Sequence, residues 1–411
     1  MLTQGTSAVV LRRAMAVATA GALLFTAPPA QADDVRGGQE QVIKTLRLTQ
    51  AWRVSKGAGV TVAVLDSGVD PHHRDLVGSV RVGKDFTEGA NPPGVPPSRL
   101  HGTYMASLIA GHGHGREGKQ GIIGVAPEAD VLSVRVILED EEPGFREFNS
   151  AERFEDVVAR GIRYAVDEGA DVINMSISKE LATREERAAI RYAISKGVVL
   201  VAAAGNDGDR KVDGDFAPYS YPAAFPGVVS VGATDRRLRR ATFSNWNSSV
   251  QVAAPGVDIM GAGPGDEYWV GRGTSQATAL VSGVAALIKA KYPGMSPPVL
   301  AQALTASATD RPPGGYDTAT GFGVVNAARA LAEADRLAGH TETATGPDVQ
   351  DPAKPLAGGR AGPIKVIVRD DERVTAYAAI AAAAAAGAIA SLSVIFILVR
   401  RVRRAHSAQD A

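Results

Sequence analysis

An α/β fold, with a mostly parallel sheet covered by helices on both faces, is predicted by three observations. Short β-branched apolar runs alternate with amphipathic helical stretches between residues 59 and 235. The runs are apolar on both alternating positions, as strands buried on two faces require. Glycine is abundant, 45 of 411 residues, which suits a fold with many tight turns. No period of 20–50 residues recurs, so a solenoid is not expected.

The N-terminus carries Arg12-Arg13, an apolar run from Ala14 to Ala27 and then Ala30-Gln31-Ala32, a small-x-small cleavage signal. Residues 1–32 are therefore expected to be a signal peptide cut after Ala32. Residues 33–58 form an N-terminal extension, too short for a folded propeptide. "GVTVAVLDSGVD" (Gly59 to Asp70) predicts a buried strand that delivers Asp66 at its carboxyl end. "HGTYMASLIAG" begins a helix at or just after His101, and "ADVLSVRVI" (Ala129 to Ile137) is a second strand. "AERFEDVVARGIRYAVDEGA" (151–170) is an amphipathic helix that stops at glycine. "DVINMSIS" (Asp171 to Ser178) is a strand, "TREERAAIRYAISKG" (183–197) a helix. "VVLVAAAGN" (Val198 to Asn206) and "GVVSVGATD" (227–235) are further strands. "GTSQATALVSGVAALIKAKY" opens another apolar helix at Ser275. In open parallel sheets function collects at the carboxyl ends of strands, where Asp66, Ser176 and Asn206 stand.

After the domain (59–338), residues 339–373 are rich in Pro, Gly, Thr and Ala and read as an extended stalk. Val374 to Val399 is free of charge for 26 residues, enough at about 1.5 Å each to cross a ~30 Å hydrocarbon core. The basic tail, 400–411, opens with "RRVRR", which favours the cytoplasmic side. Signal and stop-transfer agree on one topology: a single-pass membrane protein with its domain outside and its C-terminus in the cytoplasm. Lys plus Arg (44) equals Asp plus Glu (44), so no global field selects nucleic acid as a partner. The chain has no cysteine, which excludes disulfides, thiol catalysis and Cys-held metals.

Four polar residues require a reason. Asp66 is a buried carboxylate awaiting a charge partner or a turn residue. His101 is a helix-capping histidine or a general base. Asn206 is a turn cap or a hydrogen-bond donor to an oxyanion. Ser275 is a helix starter or a nucleophile. Their chain order, Asp66, His101, Ser275 with an amide donor between base and nucleophile, is that of one known acyl-transfer triad. His112 and His114 in "GHGHG" could meet a metal, but no carboxylate or cysteine cluster stands beside them in sequence.

Six segments together resemble the subtilisin-like serine proteases, the subtilases, over residues 45–330. "VAVLDSGVDPHHRDL" resembles the family's aspartate segment and "HGTYMAS" its histidine segment. "IGVAPEADVLSVRV" resembles the strand beyond, and "DVINMSIS" the substrate-binding strand. "AAAGN" is similar to the oxyanion segment and "GTSQATALVSGVAAL" to the serine segment. The resemblance implies a subtilisin-like three-layer fold and a serine endopeptidase acting on peptides or proteins through an acyl-enzyme. It implies Asp66, His101 and Ser275 as the triad and Asn206 as oxyanion donor, with Ser176, Ile177, Ser178 and Gly205 lining the substrate. No cofactor is required by this chemistry. Structural calcium occurs in the family, and Asp75 matches a position that sometimes ligates it. The chain departs from the family at Ala279, where proline is usual, and at Ser107 and Ser178, where glycine is usual. The short front and the C-terminal anchor are similar to the mycosins, the membrane-anchored subtilases of actinobacterial type VII secretion, many of which carry cysteines. That implies membrane secretion components as partners; the alternative is a subtilase-fold scaffold that stabilises such a complex with cleavage dispensable.

Overall fold

The computed structural model describes residues 32–210 and 216–341. The expected leader lies outside the described residues but for Ala32. The expected span at 374–399 and the tail also lie outside, as does the stalk from residue 342. Among the described residues no helix is long and apolar enough to cross a membrane.

Three short helices come first, α1 (Ala32–Gly38), α2 (Glu40–Thr45) and α3 (Leu48–Ala51), then β1 (Thr61–Asp66), β2 (Val80–Asp85) and α4 (Leu100–Ala110). The small pair β3 (His112–His114) and β4 (Gln120–Ile123) leads to β5 (Asp130–Arg135), α5 (Phe145–Ser150), α6 (Val157–Asp167) and β6 (Val172–Met175). Next are α7 (Arg184–Ser195), β7 (Val199–Ala203), β8 (Val228–Thr234), β9 (Val252–Pro255) and the hairpin β10 (Ile259–Gly263) and β11 (Glu267–Gly271). The chain then forms α8 (Thr274–Lys291), α9 (Pro297–Ala306) and α10 (Ala327–Thr341).

The central sheet has seven strands in the order β2-β5-β1-β6-β7-β8-β9, and each neighbouring pair runs parallel. β1 shows why it is buried on both faces. Val62 and Val64 enter the core under α4 and α8, while Ala63 and Leu65 enter the core under α6 and α7. Helix α8 is apolar nearly all round because it runs through the first of these cores, buried from Thr274 to Lys289.

Several boundaries differ from expectation. The stretch 151–170 is not one helix: Glu152–Phe154 form a 3-10 turn and α6 starts at Val157. Phe154 is drawn into the core beside Phe148, which breaks the helical path. The expected strand 198–206 ends at Ala203, leaving Gly205 and Asn206 in a turn. Edge strand β2 escaped prediction because none of its positions is buried, and its half-buried and exposed residues do not alternate cleanly. The last helix continues to Thr341, three residues into the expected stalk.

The N-terminal extension packs closely on the domain. Arg36 donates to the carbonyls of Gly121 (2.9 Å), Gly118 (3.0 Å) and Gln120 (3.2 Å), and the Gln39 amide both donates to and accepts from Ile123. Ala327 N–H, opening α10, donates to Leu46 O at 2.9 Å, so the first and last helices meet.

Candidate active site

The chain leaves β1, an interior strand of the sheet, at Asp66, whose side chain is fully buried. Oδ1 accepts from Ser67 N–H (2.8 Å) and lies 2.7 Å from His101 Nδ1, so the local bond and the charge partner share one oxygen. His101 is the second residue of α4; the cap position is Arg99, so the capping reading of His101 does not hold. A Cβ on Gly102 would stand 2.1 Å from Gly68 O, so glycine there lets this first turn of α4 rest on the end of β1. With Nδ1–H bonded to the carboxylate, Nε2 is left as the proton acceptor. Burial works against a charged imidazole. The Asp66 charge, the Asp66 hydrogen bond and the Glu139 charge together outweigh it, and His101 is held above the ordinary histidine range.

Ser275 is the second residue of α8, and the cap position is Gly273, which has no side chain to cap with. The cap is supplied from another strand end: Asn206 Oδ1 accepts from Thr274 N–H and Thr274 Oγ–H, both at 2.9 Å. Because a backbone N–H can only donate, the amide oxygen must face the helix, and Nδ2 is turned to the outer side. The cap is thus not on the turn that follows Asn206, where Asp207 N–H goes to Asn245, but on α8; the Asn206 oxygen caps that helix and its nitrogen is left to donate. Ser275 N–H lies in the first turn of α8, where no intrahelical acceptor exists. Ser275 Oγ donates to Ser176 O at 3.2 Å in this conformer rather than to His101, and catalytic hydrogen bonds commonly tighten only with substrate bound.

Losing the Asn206 donor is expected to slow peptide hydrolysis about 10²–10³-fold at saturating substrate, with little change in KM. Asn206→Asp keeps the acceptor for Thr274 and removes the donor, whereas Asn206→Ala removes both. If Asn206→Asp hydrolysed at the wild-type rate while Asn206→Ala did not, the residue would be a cap alone.

The remaining expected substrate residues surround this point. Ser176 Oγ donates to Ser275 O (3.0 Å) and accepts from Asn174 Nδ2 (3.1 Å), so the ends of β6 and α8 are laced together. Ile177 is buried; Ser178 pairs its hydroxyl with Ser220 at 2.6 Å and lies against Gly205. Gly205 has φ +105, and a Cβ there would meet Asn245 Nδ2 at 2.4 Å. Ser107 uses its hydroxyl on Tyr104 O (2.7 Å) and Ala262 N–H (2.9 Å), joining α4 to β10. Ala279 is fully buried in α8.

Asp75 is occupied by protein groups. Oδ1 meets His114 Nδ1 at 2.6 Å, and Oδ2 accepts from Ile122 N–H (2.7 Å) and Tyr268 O–H (2.8 Å). The carboxylate that sequence spacing did not place beside His114 is therefore Asp75. Among the described residues no three His, Asp or Glu side chains gather as a metal ion would need.

Sequence reasoning missed the supports of the site. Thr274 orients Asn206, and Asn245 Oδ1 accepts from Asp207 N–H at 2.7 Å to hold the turn after Gly205. Glu139 accepts from His101 N–H at 2.8 Å. The one sequence signal available was that Glu139 follows soon after the apolar run that forms β5.

Comparison with known proteins gives a consistent picture. The Subtilase family model matches residues 57–323. Thermitase of Thermoactinomyces vulgaris is 37% identical over 243 residues, 59% of this chain and 79% of that enzyme. An intracellular serine protease of Paenibacillus polymyxa is 34% identical over 249 residues, 60% of this chain and 72% of its own length. Among solved structures, MycP1 from Mycobacterium smegmatis is similar with a TM-score of 0.62 and 28% identity, over 77% of this chain and 88% of that one. MycP3 protease from the type VII (ESX-3) secretion system is similar with a TM-score of 0.61 and 31% identity, over 75% and 91%.

Proposed function

Because the chain belongs to the subtilase family and is a serine protease, we propose that it hydrolyses peptide bonds with Ser275 as nucleophile, His101 as general base and Asp66 as the carboxylate behind it. The observation that best supports these roles is the 2.7 Å contact between His101 Nδ1 and buried Asp66. It leaves Nε2 free to take the Ser275 proton as Oγ attacks the scissile carbonyl carbon. The negative charge that forms on the carbonyl oxygen is received by Ser275 N–H and Asn206 Nδ2. His101 then passes its proton to the leaving amine, and water, deprotonated by His101, releases the acid from the acyl-enzyme. Ser176 to Ser178 and Gly205 border the peptide.

The wider setting belongs to the same proposal. The apolar segment at 374–399 and the N-terminal leader support a membrane-anchored peptidase whose domain lies outside the cytoplasm. The likeness to MycP1 and MycP3 supports a place in type VII secretion.

The deciding experiment is labelling of the full-length protein with a fluorophosphonate probe beside a Ser275→Ala control. Labelling of the wild type that vanishes in the variant is expected. A folded wild type that does not label would remove the activated nucleophile and leave the scaffold role.

A further inference from the structure

Two buried carboxylates lie behind His101 with no part in the steps above. Glu139 and Glu142 follow β5 in the stretch "LEDEEPGF", and each is less than a tenth exposed. Buried carboxylates are costly unless bonded or paired. Glu142 has a cation: Oε1 lies 2.6 Å from Arg135 Nη2, and Arg135 Nη1 reaches Asp85 at 3.0 Å. Its Oε2 accepts from Glu139 N–H at 2.8 Å. Among the described residues Glu139 has no ion-pair partner. Its bonds go to the site instead.

Glu139 Oε1 accepts from His101 N–H at 2.8 Å and from Ser67 Oγ–H at 2.6 Å. The Ser67 oxygen in turn accepts from Gly102 N–H at 3.0 Å. One carboxylate therefore serves two consecutive first-turn N–H groups of α4, one directly and one through the residue next to Asp66. Those groups have no intrahelical acceptor, and a negative charge is favoured at that end of a helix. Oε2 accepts from Ser98 Oγ–H at 2.6 Å, and Asn91 Nδ2 donates to Glu142 at 3.0 Å. The proline-rich loop before α4 is thus fastened to the same pair.

We infer that Glu139 is a positioning residue for the peptidase reaction: its carboxylate fixes the first turn of α4, and with it the His101 ring, against the strand end that carries Asp66. This rests on the reading of His101 as the base. The charged groups facing the ring are Asp66, from β1, and Glu139, from beyond β5. Arg135, Glu142 and Asp85 stand behind Glu139, and Arg99 precedes His101 on the chain. The Glu139 charge helps to hold His101 above its ordinary range and favours the imidazolium that forms as the serine attacks.

The test is the saturating rate and half-saturating concentration of fluorophosphonate labelling across pH 5–9, for full-length wild type and Glu139→Gln. Removing the charge lowers the His101 pKa, so more of the base is neutral in acid, while the forming imidazolium loses a stabilising partner. The variant is expected to have a plateau about tenfold lower, its acid limb about half a unit lower in pH, and an unchanged half-saturating concentration. A merely structural role would lower the rate without moving the limb, and that result overturns the proposal, as does a variant identical to a labelling wild type. Glu139→Asp keeps the charge and draws it back by one methylene, so it serves where Glu139→Gln does not fold. A slower plateau with the limb in place is expected, and a wild-type plateau overturns the proposal. A wild type that does not label overturns both this proposal and the reading it rests on.

Discussion

Ser275→Ala is expected to reduce hydrolysis of an unfolded protein substrate by about 10⁶-fold, and adding His101→Ala to it is expected to cost almost nothing more. The reason lies in what each side chain does without the other. In the proposed mechanism His101 Nε2 has value only as the acceptor of the Ser275 proton, and a neutral serine hydroxyl is a poor nucleophile without that acceptor. Their losses therefore do not add. The residual rate in both variants comes from the groups that hold the oxyanion, Asn206 Nδ2 and the N–H at residue 275, which alanine at 275 retains. The measurement is turnover in the two single variants and the double one. A double variant slower than either single by a further factor of a hundred would mean that the two residues act on separate steps.

Asp66→Asn is expected to slow turnover by about 10⁴-fold and to move the acid limb of the pH profile downward. Ser67 N–H and His101 Nδ1 both address Oδ1, so an amide in this place presents its oxygen there and the Nδ1–H tautomer survives. What is lost is charge. Burial disfavours the imidazolium at His101, and the carboxylate is the larger of the two opposing charges, so its removal lowers the His101 pKa. The sign for stability is opposite to that for activity. With a raised folded-state pKa, protonated His101 stabilises the fold fully below the ordinary histidine pKa, near 6.5, and that contribution fades as pH rises through the raised value. Activity needs the neutral ring and grows over the same interval. A rate that fell with the acid limb unmoved would point to a misdirected imidazole rather than to lost charge.

The site was legible in the sequence to the extent that its residues end buried strands or open buried helices. Asp66 closes a run of apolar residues, and His101 and Ser275 each follow a break and precede an apolar helix, so local pattern alone marks them. The sheet was legible for the same reason, because strands buried on two faces give continuous apolar runs. Edge strand β2 is not such a run, and Lys84 and Asp85 within it hid it. The helix start at Val157 depends on Phe154 finding the core, which no local rule contains. The supports of the site are invisible in one dimension. Glu139 stands 38 residues from His101, Thr274 stands 68 from Asn206, and Asp75 stands 39 from His114. Glu139 and Thr274 are unremarked polar residues until the fold brings their partners, and Asp75, singled out as a calcium position, shows its pairing with His114 only in three dimensions.

The order of elements along the chain has a consequence for the birth of the enzyme. Asp66 lies on β1, an interior strand laid down early, and His101 follows on α4, but Ser275 arrives only after every strand of the main sheet has been made. The last helix then closes against the first ones through Ala327 and Leu46. Contacts of such long sequence separation form late, since loop closure must be met before they reward the chain. A polypeptide that has not reached residue 275 consequently holds the proposed acid and base without the proposed nucleophile. On the proposed roles, a chain cut short before Ser275 is expected to be inactive however much of its sheet has formed.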